Sequence, residues 1–333
     1  MNLTTTYLGF TLPHPFIPGA SPLADNLDTV RRMEDSGAPM IMLRSLFEEQ
    51  IVGEQLATYH AAETMANVFG EATSFLADPP DAVFGPEQYL EHIRKIRSAV
   101  RVPVVASLNG RTRGGWLDYA KLIEQAGANA LELNVYDIAT DGERSAADIE
   151  QETIHMVREI KGAIALPLAV KLSPFYTSFA NFARQLDEAG ADAIVIFNRF
   201  YQTDIDIEEL EPVTALHLSD SSEVLLRLRW LAILFDRIRA DLAVTGGVHD
   251  AIGAVKALMC GATTVQMVSA LLQRGPRHLF KVAASVSEWM DEHGYESLEQ
   301  LRGSMSLKNC PDPSAFERAN YMQTLYSWRD ERP

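Results

Sequence analysis

The fold is decided by residues 242–268, which read LAVTGGVHDAIGAVKALMCGATTVQMV. A short apolar run ends in two glycines, a helical stretch follows, and a Gly-Ala pair introduces a second apolar run. This order is typical of a buried parallel strand, a crossover helix and the next strand of the same sheet. Gly261 stands where a glycine can end the helix in a left-handed conformation.

The same unit recurs along the chain. Gly-Ala pairs also begin at Gly37, Gly127 and Gly190, and each precedes an apolar run. Because the runs are continuously apolar rather than alternating, we expect strands that are buried on both faces, as in a parallel sheet. Eight strands are predicted, at residues 16–20, 40–45, 104–108, 130–134, 168–172, 193–198, 242–245 and 264–268.

Eight strands that each feed a helix predict an α/β fold, a single (β/α)₈ TIM barrel that occupies residues 1–333. A doubly wound open sheet is the alternative, but it usually carries a GxGxxG turn after an early strand, and this chain has none. Helices are expected at residues 26–36, 116–126, 147–163, 178–189, 222–240 and 251–259, with a further helix from about residue 270 and a helical tail.

Two additions decorate the predicted barrel. Residues 4–16 resemble a short N-terminal hairpin that would cap its bottom. Residues 46–103 form an insertion after strand two, with a helical section at 48–67, a loop at 70–85 and a helix at 86–100. Because barrel active sites lie at the C-terminal ends of the strands, we interpret the insertion as a lid or pocket wall. A dimerisation element is the alternative.

The composition limits the classes of partner. The chain has 29 Lys and Arg against 45 Asp and Glu, a net charge of −16, which repels phosphate backbones and anionic lipid. Neither a nucleic acid nor a membrane partner is expected, and the lack of a signal peptide or a long apolar run favours the cytoplasm. Cys260 and Cys310 form no metal-binding pattern, so no metal is expected.

Polar side chains stand at the ends of the predicted strands, where a buried strand would otherwise finish in Val, Ile or Leu. Because these ends meet at one face of a barrel, the pattern predicts a ligand site there. The residues are Ser21, Arg44, Ser45, Ser107, Asn109, Asn134, Lys171, Ser173, Asn198, Thr245 and Gln266.

Lys171 follows three apolar residues, so its ammonium would lie near the barrel interior. A lysine there needs an anionic or hydrogen-bonding partner. One candidate is the N1–C2=O edge of a flavin, which gains negative charge on reduction. The other is an ion pair with Glu132, which also lies on a predicted barrel strand.

A phosphate site is predicted after strands seven and eight. Thr245-Gly246-Gly247 ends one strand, and Ser269-Ala270 opens the helix after the next. Glycines let backbone N–H groups approach an anion, and a helix N-terminus adds a favourable dipole. The pattern indicates a phosphorylated ligand and does not distinguish FMN from a sugar phosphate.

These motifs together resemble the dihydroorotate dehydrogenase family, nearest to its soluble class 1, from about residue 8 to residue 295. The motifs are Gly19-Ala20-Ser21, Arg44-Ser45, Leu131-Glu132-Leu133-Asn134, Val170-Lys171-Leu172-Ser173-Pro174, Asn198, Thr245-Gly246-Gly247-Val248 and the run from Gly261 to Gln266. The resemblance implies an FMN over the barrel mouth. Ala20 and Ser21 would touch its ring system, and Asn134 and Lys171 would hold its polar edge. Its phosphate would be bound by Gly246 and Gly247 with Ser269 and Ala270. The wider set of implied cofactor contacts adds Arg44, Ser45, Asn109, Thr245 and Gln266.

The chain departs from the family in the substrate pocket. Arg44 replaces a lysine, residues 70–78 lack the family's orotate-binding asparagines, and Asn198 is followed by Arg199. Asp137 stands where the family has its cysteine or serine base, so it is either a general base or a solvated loop carboxylate. The substrate contacts that the resemblance implies are Arg44, Asn134, Tyr136 and Asn198.

The resemblance implies an FMN-dependent dehydrogenase that acts on a CH–CH bond of dihydroorotate or a related small molecule, in pyrimidine metabolism. Asp137 would remove a proton and Lys171 would assist, while hydride passes to the flavin and a second, unidentified acceptor reoxidises it. A separate subunit for that step and a homodimer are left open. One alternative is a flavin-binding relative without dihydroorotate turnover. Another is a flavin-free, phosphate-binding aldolase that uses Lys171 as a Schiff-base nucleophile.

Overall fold

The continuously apolar runs form the parallel sheet that the sequence predicts. The computed structural model describes residues 1–48, 50, 85–110, 113–199, 202–213, 215–317 and 320–327. The strands are β1 (Thr5–Tyr7), β2 (Phe10–Leu12), β3 (Phe16–Pro18), β4 (Ile41–Phe47), β5 (Val104–Asn109), β6 (Ala130–Asn134), β7 (Leu168–Leu172), β8 (Ala193–Ile196), β9 (Asp204–Asp206), β10 (Glu211–Val213), β11 (Asp241–Thr245) and β12 (Thr264–Met267).

Eight of these strands form one parallel sheet in the order β3-β12-β11-β8-β7-β6-β5-β4. Strands β3 and β4, at its two ends, lie beside each other, so the sheet is a nearly closed barrel. Helices follow the barrel strands and cover them, which confirms the predicted (β/α)₈ fold. All eight predicted strands are present, with ends within two residues of the expected ones.

The helices lie on the outside of the sheet. They are α1 (Leu27–Asp35), α2 (Pro86–Ala99), α3 (Arg113–Gln125), α4 (Ala146–Ala163), α5 (Phe179–Ala189), α6 (Val224–Leu234), α7 (Ala251–Cys260), α8 (Ser269–Arg274), α9 (Arg277–Glu292), α10 (Leu298–Leu301) and α11 (Asn320–Tyr326). Gly190 and Gly261 end α5 and α7 with φ angles of 103° and 118°, so the Gly-Ala junctions are left-handed C-caps as predicted.

The barrel interior is closed from below by the N-terminal hairpin. Strands β1 and β2 pair antiparallel, which confirms the predicted hairpin. Its Tyr7 and Leu12 side chains are buried in the same cluster as Ile17, Met42 and Val195 of the strands. The hairpin therefore fills one end of the barrel, and the opposite end, where the strands finish, remains available for a ligand.

Two expectations about the second half of the chain need correction. The helix predicted at 222–240 is wrong at its C-terminal end, because α6 stops at Leu234 and Asp236 takes a left-handed φ of 63°. The β9–β10 hairpin was not predicted. Its six strand residues are all exposed, so no buried face produces a hydrophobic pattern there.

The insertion after strand two is described only in part. Helix α2 confirms the helix predicted at 86–100. The helical section at 48–67 and the loop at 70–85 lie almost entirely outside the described residues. The interpretation of 46–103 as a lid, and of residues 1–333 as one domain, stays a prediction.

Among the described helices, none is long and apolar enough to cross a membrane. The same part of the chain contains no group of three or more His, Cys, Asp or Glu side chains that could hold a metal ion.

Candidate active site

A cavity of about 260 Å³ lies at the C-terminal ends of the barrel strands. It brings together nine residues that the sequence predicts for the site, namely Ala20, Ser21, Lys171, Asn198, Thr245, Gly246, Gly247, Gln266 and Ser269. Sequence reasoning missed the other lining residues, Pro22, Phe197, Arg199, Leu216, Leu218, Ser219, Val248, Val268 and Leu272. These nine residues thus share one cavity although they come from the ends of five different barrel strands.

One end of the cavity is built on a buried ion pair. Lys171 Nζ lies 3.7 Å from Glu132 Oε1, and these two side chains are 8% and 0% exposed. Gln266 Nε2 donates to the other carboxylate oxygen of Glu132 at 2.9 Å. The ion pair of Lys171 with Glu132, given above as the alternative to a flavin contact, is therefore present. The 3.7 Å distance between Lys171 Nζ and Glu132 Oε1 is longer than a hydrogen bond. The Lys171 side chain can therefore still donate hydrogen bonds to a ligand in the cavity.

The carboxylate of Glu132 also acts on the hairpin below it. Burial raises the pKa of Tyr7 well above its usual value, and the negative charge of Glu132 raises it further. The Tyr7 hydroxyl is fully buried at the base of the barrel. Beneath the cavity, the barrel interior therefore contains Glu132 with its hydrogen-bonded partner Gln266, and the Tyr7 hydroxyl without a hydrogen-bond partner among the described residues.

Hydrogen bonds connect four polar residues across the mouth of the barrel. Ser107 Oγ lies 2.7 Å from Ser45 Oγ, and Asn134 Nδ2 donates to Ser45 Oγ at 3.4 Å. Asn198 Nδ2 donates in turn to Asn134 Oδ1 at 2.5 Å. Asn109 is buried next to this row, because it is paired in register with Asn134. Four of the strand-end residues predicted from the sequence thus form one hydrogen-bonded row.

The opposite end of the cavity is built from glycines and hydroxyls. Gly246 and Gly247 have φ angles of 83° and 80°, which favour glycine. The backbone N–H of Gly247 donates to Ser219 Oγ at 3.5 Å, and the Ser219 N–H donates to Ser269 Oγ at 3.1 Å. Ala270 is buried behind Ser269 and does not line the cavity.

Ser219 has a second partner in His249. Its Oγ lies 3.1 Å from His249 Nε2, and both residues are buried. Burial, and then the positive charge of Arg274, lower the pKa of His249 below its usual 6.5. A neutral imidazole therefore fixes the Ser219 hydroxyl. The only sequence signal for Ser219 was its place before Asp220, which caps the turn leading into α6.

Seven predicted site residues do not line this cavity, namely Arg44, Ser45, Asn109, Asn134, Tyr136, Asp137 and Ala270. Arg44 Nη1 is paired with Asp25 Oδ2 at 3.1 Å, in a smaller depression that Tyr89 and His92 also line. Burial raises the pKa of Asp25, and Arg44 opposes that rise. Arg44 is thus directed to a carboxylate of its own chain.

Asp137 lies in another depression, next to α4. Its Oδ2 is 3.6 Å from Arg144 Nη1, and Tyr176 lines the same depression. Tyr136 precedes it and is partly buried. The structure therefore does not bring Asp137 together with Lys171, and its role as the base stays a prediction.

The comparison with known families is decisive for the classification. The model of the dihydroorotate dehydrogenase family matches residues 2–290. The chain belongs to the dihydroorotate dehydrogenase family. This family consists of flavin-dependent oxidoreductases that act on CH–CH bonds.

Individual relatives are similar over almost their whole length. The catalytic subunit of dihydroorotate dehydrogenase B (NAD(+)) from Methanothermobacter thermautotrophicus is 25% identical, over 90% of this chain and 97% of that protein. The corresponding subunit from Thermoplasma volcanium is 23% identical, over 91% and 98%. A putative dihydroorotate dehydrogenase A (fumarate) from Aeropyrum pernix is 24% identical, over 91% and 97%.

Proposed function

We propose that this protein is an FMN-dependent oxidoreductase that oxidises a CH–CH bond in dihydroorotate or a closely related ring compound. The observation that carries the proposal is the cavity at the strand ends. It joins a buried cation, Lys171, at one end to a glycine and hydroxyl cradle at the other. A flavin mononucleotide has the same polarity, with a polar ring edge and a phosphate at its two ends.

The residues around the cavity fit that group. A Cβ added at Gly19 would lie 2.7 Å from Val268 Cγ2, so the backbone approaches the cavity floor closely. Ala20, Ser21 and Phe197 offer small or flat surfaces for a ring system. Ser219, Gly247 and Ser269 would bind the phosphate, since short backbone and hydroxyl donors suit an anion.

Bound FMN would supply a two-electron acceptor for the hydride that leaves the substrate. Lys171 would keep a positive charge beside the polar edge of the ring system, in a buried position where electrostatic stabilisation is strong. Glu132 would hold Lys171 in place. The amides of Asn134 and Asn198 would bind polar groups of the substrate ring, and Asp137 would accept the substrate proton.

The experiment begins with the visible spectrum of the purified protein and continues with anaerobic stopped-flow mixing with dihydroorotate. We expect a flavin absorption band that bleaches after mixing. A yellow protein whose flavin is not bleached by millimolar dihydroorotate would limit the proposal to flavin binding. A colourless protein that takes up no FMN would refute it.

The position of Asp137 favours a second candidate, a flavin-binding member of the family that does not turn over dihydroorotate. The ion pair with Arg144 occupies Asp137 in a separate depression. In this case, a screen of other unsaturated or saturated ring compounds would identify the substrate by flavin bleaching. The aldolase alternative is disfavoured, because Lys171 is paired with Glu132 and the chain belongs to a family of flavin-dependent oxidoreductases.

The relatives' names suggest the electron acceptor. Two of those described above are named catalytic subunits, so we include a separate subunit that reoxidises the flavin in the proposal. A homodimer and a cytoplasmic location stay predictions. Sedimentation of the purified protein, alone and with candidate reductase subunits, tests the two assemblies.

A further inference from the structure

Arg227 is a buried cation that the proposed mechanism does not use. It lies on α6 and is 4% exposed. Its Nε donates to the carbonyl of Thr245 at 2.5 Å and its Nη1 to the carbonyl of Glu223 at 2.5 Å. Its Nη2 donates to the carbonyl of Phe197 at 3.4 Å. The guanidinium therefore ties the ends of β8 and β11 to the start of α6.

The same guanidinium lies directly behind the glycine pair. A Cβ added at Gly246 would lie 2.7 Å from Arg227 Nη2, and one added at Gly247 would lie 2.3 Å from the backbone nitrogen of Val224. The start of α6 and the Arg227 side chain thus pack against the cradle from outside the cavity. Gly246 and Gly247 are required there by this packing as well as by their backbone angles.

Arg227 shares its carboxylate partner with a second cation. Glu223 pairs with Arg227 at 3.9 Å and also with Arg199 at 3.4 Å. These three side chains together carry one more positive charge than negative charge. A buried positive charge acts over several ångströms with little screening, which favours an anion in the adjacent cradle.

We propose that Arg227 is a positioning residue that aligns the Gly246–Gly247 cradle and makes the cavity prefer a phosphorylated flavin over an unphosphorylated one. This inference rests on the proposed function, because it takes the bound group to be FMN. It predicts a specific signature, namely a change in the ratio of FMN affinity to riboflavin affinity.

The experiment measures the Kd of FMN and of riboflavin by fluorescence quenching after the native flavin has been removed. The variant Arg227→Met keeps an unbranched, flexible side chain but removes the guanidinium, and with it the charge and the donors. We expect its FMN affinity to fall by about 10- to 100-fold, because the cradle loses the hydrogen bonds that align it and a nearby positive charge, with much less change for riboflavin. The matched control is Arg229→Met, which lies on the same helix and is exposed.

A second variant is expected to change the ratio of FMN affinity to riboflavin affinity in the opposite direction. Glu223→Gln removes the one carboxylate of the cluster at a partly exposed position, so folding is expected to tolerate it. Because the cluster then becomes more positive, we expect FMN to bind more tightly relative to riboflavin. Arg227→Lys keeps the charge but loses the forked donors, so it should lie between wild type and Arg227→Met.

The possible outcomes distinguish a failure of the proposed function from a failure of the inference about Arg227. If wild type binds neither FMN nor riboflavin, the proposed function fails and this inference fails with it. If wild type binds FMN but Arg227→Met weakens both flavins equally, or neither, Arg227 does not act on the phosphate end and only the inference is refuted. If Arg227→Met does not fold, an unchanged affinity ratio in both Glu223→Gln and Arg227→Lys refutes it.

Discussion

The buried pair of Glu132 and Lys171 gives the sharpest prediction about stability. Glu132→Gln keeps the shape of the side chain and removes its charge. Two unit charges separated by 3.7 Å attract by about 4 kcal/mol at an effective dielectric constant of about 20. Removing one partner of a buried pair typically costs about 3–5 kcal/mol, because the other charge remains buried without compensation. We therefore expect Glu132→Gln to lower the free energy of unfolding by about 3 kcal/mol.

The assay is urea denaturation of the flavin-free protein, so that cofactor affinity does not contribute to the measured stability. A double-mutant cycle with Lys171→Met isolates the pair. We expect the double variant to lose about 2 kcal/mol less than the sum of the single losses. The control is Glu188→Gln, which removes an exposed pair with Arg184 and should cost less than about 0.5 kcal/mol. Additive losses in the cycle, or equal losses for Glu132 and Glu188, would refute the reasoning.

Three further predictions concern Gly247, His249 and Asp137. Gly247→Ala should lower flavin content and destabilise the protein by about 2 kcal/mol, since the new methyl meets Val224 at a positive φ. Gly275→Ala, with a similar φ of 78° but nothing within 4 Å, should cost less in thermal unfolding. Because the pKa of His249 is lowered on folding, the unfolded state binds more protons below pH 6.5 and stability should fall as the pH drops through that value. His249→Gln should flatten that dependence between pH 7.5 and 5.5 in urea titrations, and an unchanged slope would contradict it. Asp137→Asn should slow substrate-dependent flavin reduction by about 100-fold or more while flavin still binds, whereas Asp141→Asn, exposed in the same loop, should not. Equal rates for the two variants would exclude Asp137 as the base.

The sequence predicted the barrel well because its signals are local. Each strand is a continuous apolar run, and each Gly-Ala junction, such as that at Gly261, marks a helix end. The end of α6 was mispredicted for the opposite reason. Residues 235–240 contain helix-forming side chains, but the Phe235 ring packs against the backbone of Gly261 and Gly303, which fixes a turn that only the tertiary structure determines.

The residues of the candidate site also fall into two groups, those that the sequence predicts and those that it does not. Residues such as Asn134, Lys171 and Gln266 were predictable, because a polar side chain at the end of an apolar strand already indicates a ligand. Ser219 and Arg227 were not, since one precedes a helix and the other belongs to a helix that the sequence pattern presents as an outer surface. Each is held in place by a partner 18–30 residues away in the chain, Arg227 by Thr245 and Ser219 by His249.

The two buried cations, Lys171 and Arg227, also explain how an acidic protein could orient an anionic cofactor. With a net charge of −16, the protein as a whole repels a phosphate. At one end of the cavity, Lys171 is balanced by Glu132, so that end is polar but electrically neutral as a pair. At the other end, Arg199 and Arg227 share the carboxylate of Glu223, and the Arg227 guanidinium lies directly behind the glycine cradle. Because a dianionic phosphate is stabilised only at the second end, the difference between the two clusters would set the direction in which FMN enters. Removing that difference, by combining Glu223→Gln with Glu132→Gln, would leave both ends positive. We expect the double variant to keep its preference for FMN over riboflavin, measured as the ratio of the two Kd values, whereas Arg227→Met loses it, because the double variant retains the cation behind the cradle.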